Sequence, residues 1–248
     1  MKYFVRVPAG STVHLIILFL FIIFQLLMFT VDSFGISAGE CLNFEKSIID
    51  YRQHLNPQFK KIKRNSTRHI IIHTSECDLK TTLKIVTKGK QDNHKWISRG
   101  GHSHYVIARN GQTYFILGNE YRAHHAGLSM WNGETNINHS SIGIELIGYH
   151  NQEITAKQYK SVQFLIKILK DKYHLDNLDV LTHSQVAYAK PNEYNPYKHR
   201  GRKHCAQNFD RIHAGLNTTW LYDPDVRAGR LAPEPKLAAI FYGVKSQP

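Results

Sequence analysis

Apolar residues along this chain fall into one long run and several short ones. Leu15 to Phe29 is apolar throughout except for Gln25, and Lys2 and Arg6 precede it. A basic flank followed by such a run reads as an export signal or a membrane anchor. The run is slightly long for a signal core and slightly short for a comfortable span. Gly35, Ser37, Ala38 and Gly39 offer small residues for cleavage, so the pattern suits a removed signal as well as a retained anchor. Its terminal position and basic flank count against a buried core helix. Either reading puts the remainder of the chain outside the cytoplasm.

The short runs predict the rest. Leu42, Ile48, Ile49 and Tyr51 among charges predict a short amphipathic helix over 42–54, and the basic stretch Lys60 to Arg64 then reads as a solvated linker or a binding surface. His69-Ile-Ile-Ile-His73 is continuous and apolar, as in a central strand covered on both faces, with His73 emerging at its end. Ser103 to Ile107 and Gln112 to Leu117 flank Arg109-Asn-Gly111, a hairpin signal. Ile142 to Ile147 predicts a further strand. Thr155 and Gln158 then form a capping box ahead of Tyr159, Val162, Leu165, Ile166, Leu169 and Tyr173 at helical spacing. Leu178 to Leu181 predicts another buried strand that delivers His183 at its end, so both histidines fall at one edge of a mixed sheet. Tyr188 to Arg200 lacks a period and reads as an inserted loop, and the proline-rich stretch 221–248 as an extended tail.

Composition adds three constraints. A chain of 248 residues with 42% hydrophobic content supports one sizeable core with appendages. A formal charge of +13 implies an anionic partner. The aromatics are not interleaved with Arg and Lys in a nucleic-acid-binding motif, which disfavours nucleic acid. Outside the cytoplasm, the three cysteines Cys41, Cys77 and Cys205 divide economically into a Cys41–Cys77 disulfide and a Cys205 thiolate held for a metal. The alternative is three reduced, buried thiols.

His73, His183 and Cys205 are three donors suited to zinc, and three protein ligands with an open position mark a catalytic rather than a structural site. Glu145, a single carboxylate in Ser141-Ile-Gly-Ile-Glu-Leu-Ile-Gly148, suits a general base beside metal-activated water. Lys203, two residues before Cys205, suits a cation that offsets charge developing on a carbonyl oxygen. Taken singly, each has a plainer reading. With sixteen histidines in the chain, one histidine decides little, a lone cysteine is commonly packing, and a lone carboxylate is commonly an ion-pair partner.

Four blocks carry a family resemblance: Ile70-Ile-Ile-His73; Ser103-His-Tyr-Val-Ile-Ala-Arg-Asn-Gly111; Arg122-Ala-His-His-Ala-Gly127 running to Ser141-Ile-Gly-Ile-Glu-Leu146; and His183-Ser with Gly201-Arg-Lys-His-Cys205. In these blocks the chain resembles the type 2 N-acetylmuramoyl-L-alanine amidases, the zinc superfamily that includes peptidoglycan recognition proteins and phage lysozyme-like amidases. The resemblance implies an α/β fold with a central mixed sheet flanked by helices over 66–220. An N-terminal signal or anchor (1–39) and a helix with a basic linker (40–65) would precede it, and a tail (221–248) would follow. It implies Zn2+ on His73, His183 and Cys205, with Glu145 and Lys203 catalytic. His125, Ser103, His104 and Arg122 would contact substrate. The implied reaction cuts the amide between N-acetylmuramic acid and L-alanine in peptidoglycan or muropeptides. The alternative is a recognition protein that binds peptidoglycan without cutting it. The positive charge would then attract anionic wall polymers or a membrane surface, in a periplasmic, secreted or membrane-anchored protein. Glu145 together with Cys205 combines features of two branches, since the branch with this Glu usually has Asp as the third ligand.

Overall fold

In the computed structural model, which describes residues 35–92 and 95–243, the chain is built on strands β1 (Ile49–Asp50), β2 (His69–Thr74), β3 (Gln91–Asp92), β4 (Lys95–Trp96), β5 (Tyr105–Ile107), β6 (Thr113–Phe115), β7 (Met130–Trp131), β8 (Glu134–Thr135), β9 (Ser141–Leu146) and β10 (Val180–Thr182). Six of them form one sheet in the order β1-β6-β5-β9-β2-β10, while β3–β4 and β7–β8 are two small ribbons. The β5–β6 pair is antiparallel and every other neighbour in the large sheet is parallel. The sheet is therefore mixed, as expected. Its flanking helices are α1 (Ala38–Ser47), α2 (Leu79–Lys88), α3 (Ala156–Tyr173), α4 (His183–Val186), α5 (Pro224–Arg227) and α6 (Pro235–Tyr242). The apolar run at 15–29 lies outside the described residues, among which no helix is long and apolar enough to cross a membrane.

Parallel strands covered on both faces need apolar side chains on both, which is why β2 reads as an uninterrupted run. Ile70 and Ile72 pack with Ile142 and Ile144 of β9 against Val162, Leu165, Ile166 and Leu169 of α3. Ile71, on the opposite face, packs with Ala126, Trp131, Ile137, Leu181 and Val186. Helix α3 starts where the sequence puts it: Thr155 accepts from the Gln158 amide and Gln158 reaches back to the Thr155 amide. That reciprocal cap satisfies two otherwise orphaned donors.

Two expectations change. The helix expected over 42–54 stops at Ser47, because Ile49 and Asp50 pair with Tyr114 and Phe115 and so extend the sheet edge. The basic stretch is solvated as expected, with Lys60, Lys61 and Lys63 exposed, but it is anchored on both sides. Leu55 and Phe59 are buried in a cluster with Val106, Ile116 and Leu117, and the Arg64 amide donates to Glu120 O at 2.8 Å. Cys41 and Cys77 are both free thiols. Helix α1 lies against α3, where Phe44 stacks on Phe164 at 5.3 Å. Cys77 instead sits in the loop after β2, with Sγ 3.2 Å from Thr82 Oγ1.

The largest correction concerns the expected tail, while 188–200 is the irregular loop that was expected. Residues 221–243 contain α5 and α6, with Leu237 buried, and they belong to the same compact unit as the other described residues from Ala38 onward. Arg200, 3% exposed, joins the insertion to this segment. Its Nε donates to Asp223 at 2.6 Å, its Nη2 to Asp225 at 3.1 Å, and its Nη1 to the carbonyls of Met130 and Val186 at 3.0 and 2.9 Å. Asp225, fully buried, also accepts from Arg230 Nε at 2.7 Å and from the Gly133 amide at 2.7 Å. Removing one partner from a buried ionic cluster strands the other charge, at about 3–5 kcal/mol. Asp225→Ala is thus expected to lower unfolding stability by about that much in urea titrations, and a loss below about 1 kcal/mol would show that the cluster does not anchor the C-terminal helices.

Candidate active site

The cleft follows from register. In a parallel pair, matched residues project to the same face, and His73 of β2 is matched with Glu145 of β9. Each is the penultimate residue of its strand, and His183 directly follows β10. The carboxyl ends of β2, β9 and β10 therefore deliver all three side chains to one edge, where open parallel sheets form their ligand crevice. A cleft of about 580 Å³ opens there, lined among others by His73, His125, Glu145, His183, Lys203 and Cys205.

Cys205 arrives from a loop instead of a strand. Its position is set by the Ala206 amide, which donates to Thr74 Oγ1 at the end of β2 at 2.8 Å, with Ala206 in the left-handed region at φ 60°. Arg202 fixes the same loop by donating to the Tyr188 and Leu128 carbonyls, each at 2.8 Å. As a result His183 Nδ1 lies 3.1 Å from Cys205 Sγ, and His73 Nδ1 lies 3.9 Å from it. One donor atom from each of the three residues falls within a 4.8 Å span. Donors bound tetrahedrally to zinc at about 2.0–2.3 Å stand roughly 3.3–3.6 Å apart, so the three need only small adjustments to share an ion.

Burial sets the charge states. It drives the His73 and His183 imidazoles toward the neutral form, His183 down to about 3 with Arg202 and Lys203 adding to the effect. Neutral imidazole is the form that binds metal. Burial also pushes the Cys205 thiol up, with the Glu145 charge adding to it. Glu145 is raised to about 8, first by burial and then by Glu76, while Lys90 and Lys203 pull it down. Its Oε1 lies 4.0 Å from His73 Nδ1, and its buried Oε2 has no hydrogen-bond partner among the described residues. A buried carboxylate oxygen without a partner is costly unless the site supplies a water, a substrate or a cation.

The structure brings His73, His183, Cys205, Glu145, Lys203 and His125 to the cleft, but not Ser103, His104 or Arg122. Ser103 and His104 are fully buried. Ser103 Oγ lies 2.7 Å from Tyr105 O and 3.0 Å from Gly143 O. His104 Nδ1 accepts from the Gly143 amide at 3.0 Å, and its Nε2 donates to Tyr121 O at 2.9 Å. These two side chains brace Gly143 from beneath and have nothing free for a substrate. Arg122 Nη1 is spent on His139 Nε2 at 2.6 Å. Other residues line the cleft without having been anticipated: Glu76, Lys90, His102, His150 and Arg202. Glu76 and His150, paired at 2.8 Å, sit in the loops after β2 and β9, where the strand-end rule could have found them.

Known proteins show which family the chain falls in. Residues 63–206, more than half of the chain, match the family model described as N-acetylmuramoyl-L-alanine amidase. The chain belongs to this amidase family. It is 27% identical to the N-acetylmuramoyl-L-alanine amidase AmiD of Escherichia coli (strain K12) over 164 residues, 60% of this chain and 54% of that protein. To the 1,6-anhydro-N-acetylmuramyl-L-alanine amidase AmpD of Enterobacter cloacae it is 30% identical over 114 residues, 46% of this chain and 56% of that one. The chain thus spans about half the length of these curated relatives. A selenomethionine derivative of AmpD shares the fold, with a TM-score of 0.51 at 20% identity, over 68% of this chain and 92% of that one.

Because Glu145 is raised from 4.5 to about 8, folding favours its protonated form. That contribution is fully present below about 4.5 and lost as pH rises through about 8. Metal-free wild type is expected to lose stability relative to Glu145→Gln across this window in urea unfolding. A difference between the two that does not change with pH would contradict the assignment.

Proposed function

We propose that this member of the amidase family hydrolyses the amide between N-acetylmuramic acid and L-alanine in peptidoglycan or its muropeptides, with His73, His183 and Cys205 holding zinc. The observation that carries the reading is the half-buried Glu145 carboxylate, with a buried oxygen unpartnered among the described residues, beside three clustered donors that suit zinc. Bound there, zinc would supply Lewis acidity toward the scissile carbonyl and toward a water.

This chain's residues do the proton work. Glu145 takes the proton of the attacking water and returns it to the leaving L-alanine nitrogen. A carboxylate held in a low-dielectric wall, with a raised proton affinity, is suited to both transfers. The Lys203 ammonium, on the exposed side of the cleft, offsets negative charge on the tetrahedral adduct. Fully buried Val106, matched with Glu145 across the β5–β9 pair, lowers the local dielectric on that side and strengthens both interactions. A net charge of +13 draws the protein to anionic wall polymers or to a membrane surface, an attraction that weakens with salt. Export rests on the basic-flanked apolar run at 15–29, and is consistent with a wall substrate.

Digestion of purified peptidoglycan, scored for released stem peptides, tests the reading. Glu145→Gln is expected to keep zinc and lose turnover by roughly 10²–10⁴-fold, whereas Cys205→Ala loses both. Wild type that binds peptidoglycan without releasing peptides would be a recognition protein instead. Normal cleavage by Glu145→Gln would remove the base from the mechanism.

A further inference from the structure

His125 lines the cleft, which by itself suggests a substrate contact, yet both of its ring nitrogens are engaged from within the protein. Its Nε2 lies 3.1 Å from Ser141 Oγ, and its Nδ1 lies 3.0 Å from His73 Nε2. Ser141 Oγ also lies 2.6 Å from the Ile137 carbonyl. Two oxygens that close require the serine's single proton between them, since the carbonyl can only accept. Ser141 therefore has only lone pairs left for His125, and the Nε2 proton of His125 points at it. Nδ1 of His125 is then an acceptor, and His73 must donate to it from Nε2. The remaining nitrogen of His73, Nδ1, carries its lone pair toward Cys205 Sγ at 3.9 Å and Glu145 Oε1 at 4.0 Å.

The surrounding backbone is shaped to this arrangement. Asn138 Oδ1 accepts from the amides of His125 and Ala126 at 3.0 and 2.8 Å, which fixes the segment that carries the ring. Gly143 leaves the ring its space: a Cβ there would come within 2.6 Å of His125 Cγ. His183 is oriented in a parallel way by a simpler device, its Nε2 donating to Ala126 O at 3.0 Å and leaving Nδ1 for Cys205.

We propose that Ile137 O, Ser141, His125 and His73 form a directed hydrogen-bond relay that holds His73 in the Nε2–H tautomer and presents its Nδ1 to the metal, making His125 a positioning residue. The relay deepens the zinc reading given above and rests on it for its function, but its hydrogen-bond directions exist without metal. Outer partners of this kind orient a ligand ring and raise its basicity, and their loss typically costs 10–100-fold in metal affinity.

Two measurements test it. Nitrogen-15 NMR of metal-free wild type is expected to show the Nε2–H tautomer at His73, and the Nδ1–H tautomer there would overturn the relay whatever the metal does. Zinc affinity by chelator competition is expected to fall roughly 10–100-fold in His125→Ala and in Ser141→Ala. His125→Gln, whose amide can accept from His73 and donate to Ser141, is expected to recover most of the loss. Circular dichroism checks the folding of each variant, and the NMR measurement stands if His125→Ala fails to fold. Should wild type itself bind no zinc, the metal reading fails. Tight zinc binding by His125→Ala together with a raised KM for muropeptide would instead make His125 a substrate contact and refute the relay.

Discussion

Parallel pairing of β2 with β9 on one side and β10 on the other is the constraint on which the site depends. Matched residues of parallel strands share a face, so the pairing of His73 with Glu145 puts an imidazole and a carboxylate side by side at the sheet's carboxyl edge. The pairing of Thr182 with Ile72 brings His183 to the same edge. A slip of one residue in either ladder would turn these side chains to the α3 face. Ile70, Ile72, Ile142 and Ile144 oppose such a slip because it would expose them or bury polar groups in their stead. The apolar core thereby sets the geometry of the chemistry.

The same burial that fixes positions also sets protonation. Glu145 is raised, His73 and His183 are neutral, and Cys205 keeps its proton in the absence of a cation. In that state the cleft contains a carboxyl oxygen without a hydrogen-bond partner among the described residues and a thiol whose burial opposes ionisation. A divalent cation would reverse both tendencies, stabilising thiolate and carboxylate together. A His–His–Cys donor set with an adjacent Glu is in this sense electrostatically incomplete without metal. That is a physical reason for Glu145 and Cys205 to occur in one site.

Strand interiors and their ends were legible in the sequence because continuous apolar runs and a capping box leave strong local signals. His73, Glu145 and His183 could be read as strand-end residues, and Cys205 and Lys203 through the resemblance. Ser103 and His104 were misread because neighbourhood in a motif says nothing about depth. They precede β5, whose Val106 is level with Glu145, and so lie beneath the site against Gly143. The relay through Ser141 was also hidden, since a serine opening a strand carries no sign of its partner. Arg200, Asp223 and Asp225 illustrate the opposite error: charged residues in irregular, proline-rich sequence look solvated until their mutual pairing is seen.

The proposed metal shell is the most direct point of test. Zinc K-edge X-ray absorption of the loaded protein is expected to show one sulfur at about 2.3 Å and the remaining nitrogen or oxygen neighbours at about 2.0–2.1 Å. The sulfur contribution is expected to vanish in Cys205→Asp. A shell of light atoms alone in the wild type, or one with two sulfurs, would contradict a centre built from His73, His183 and Cys205.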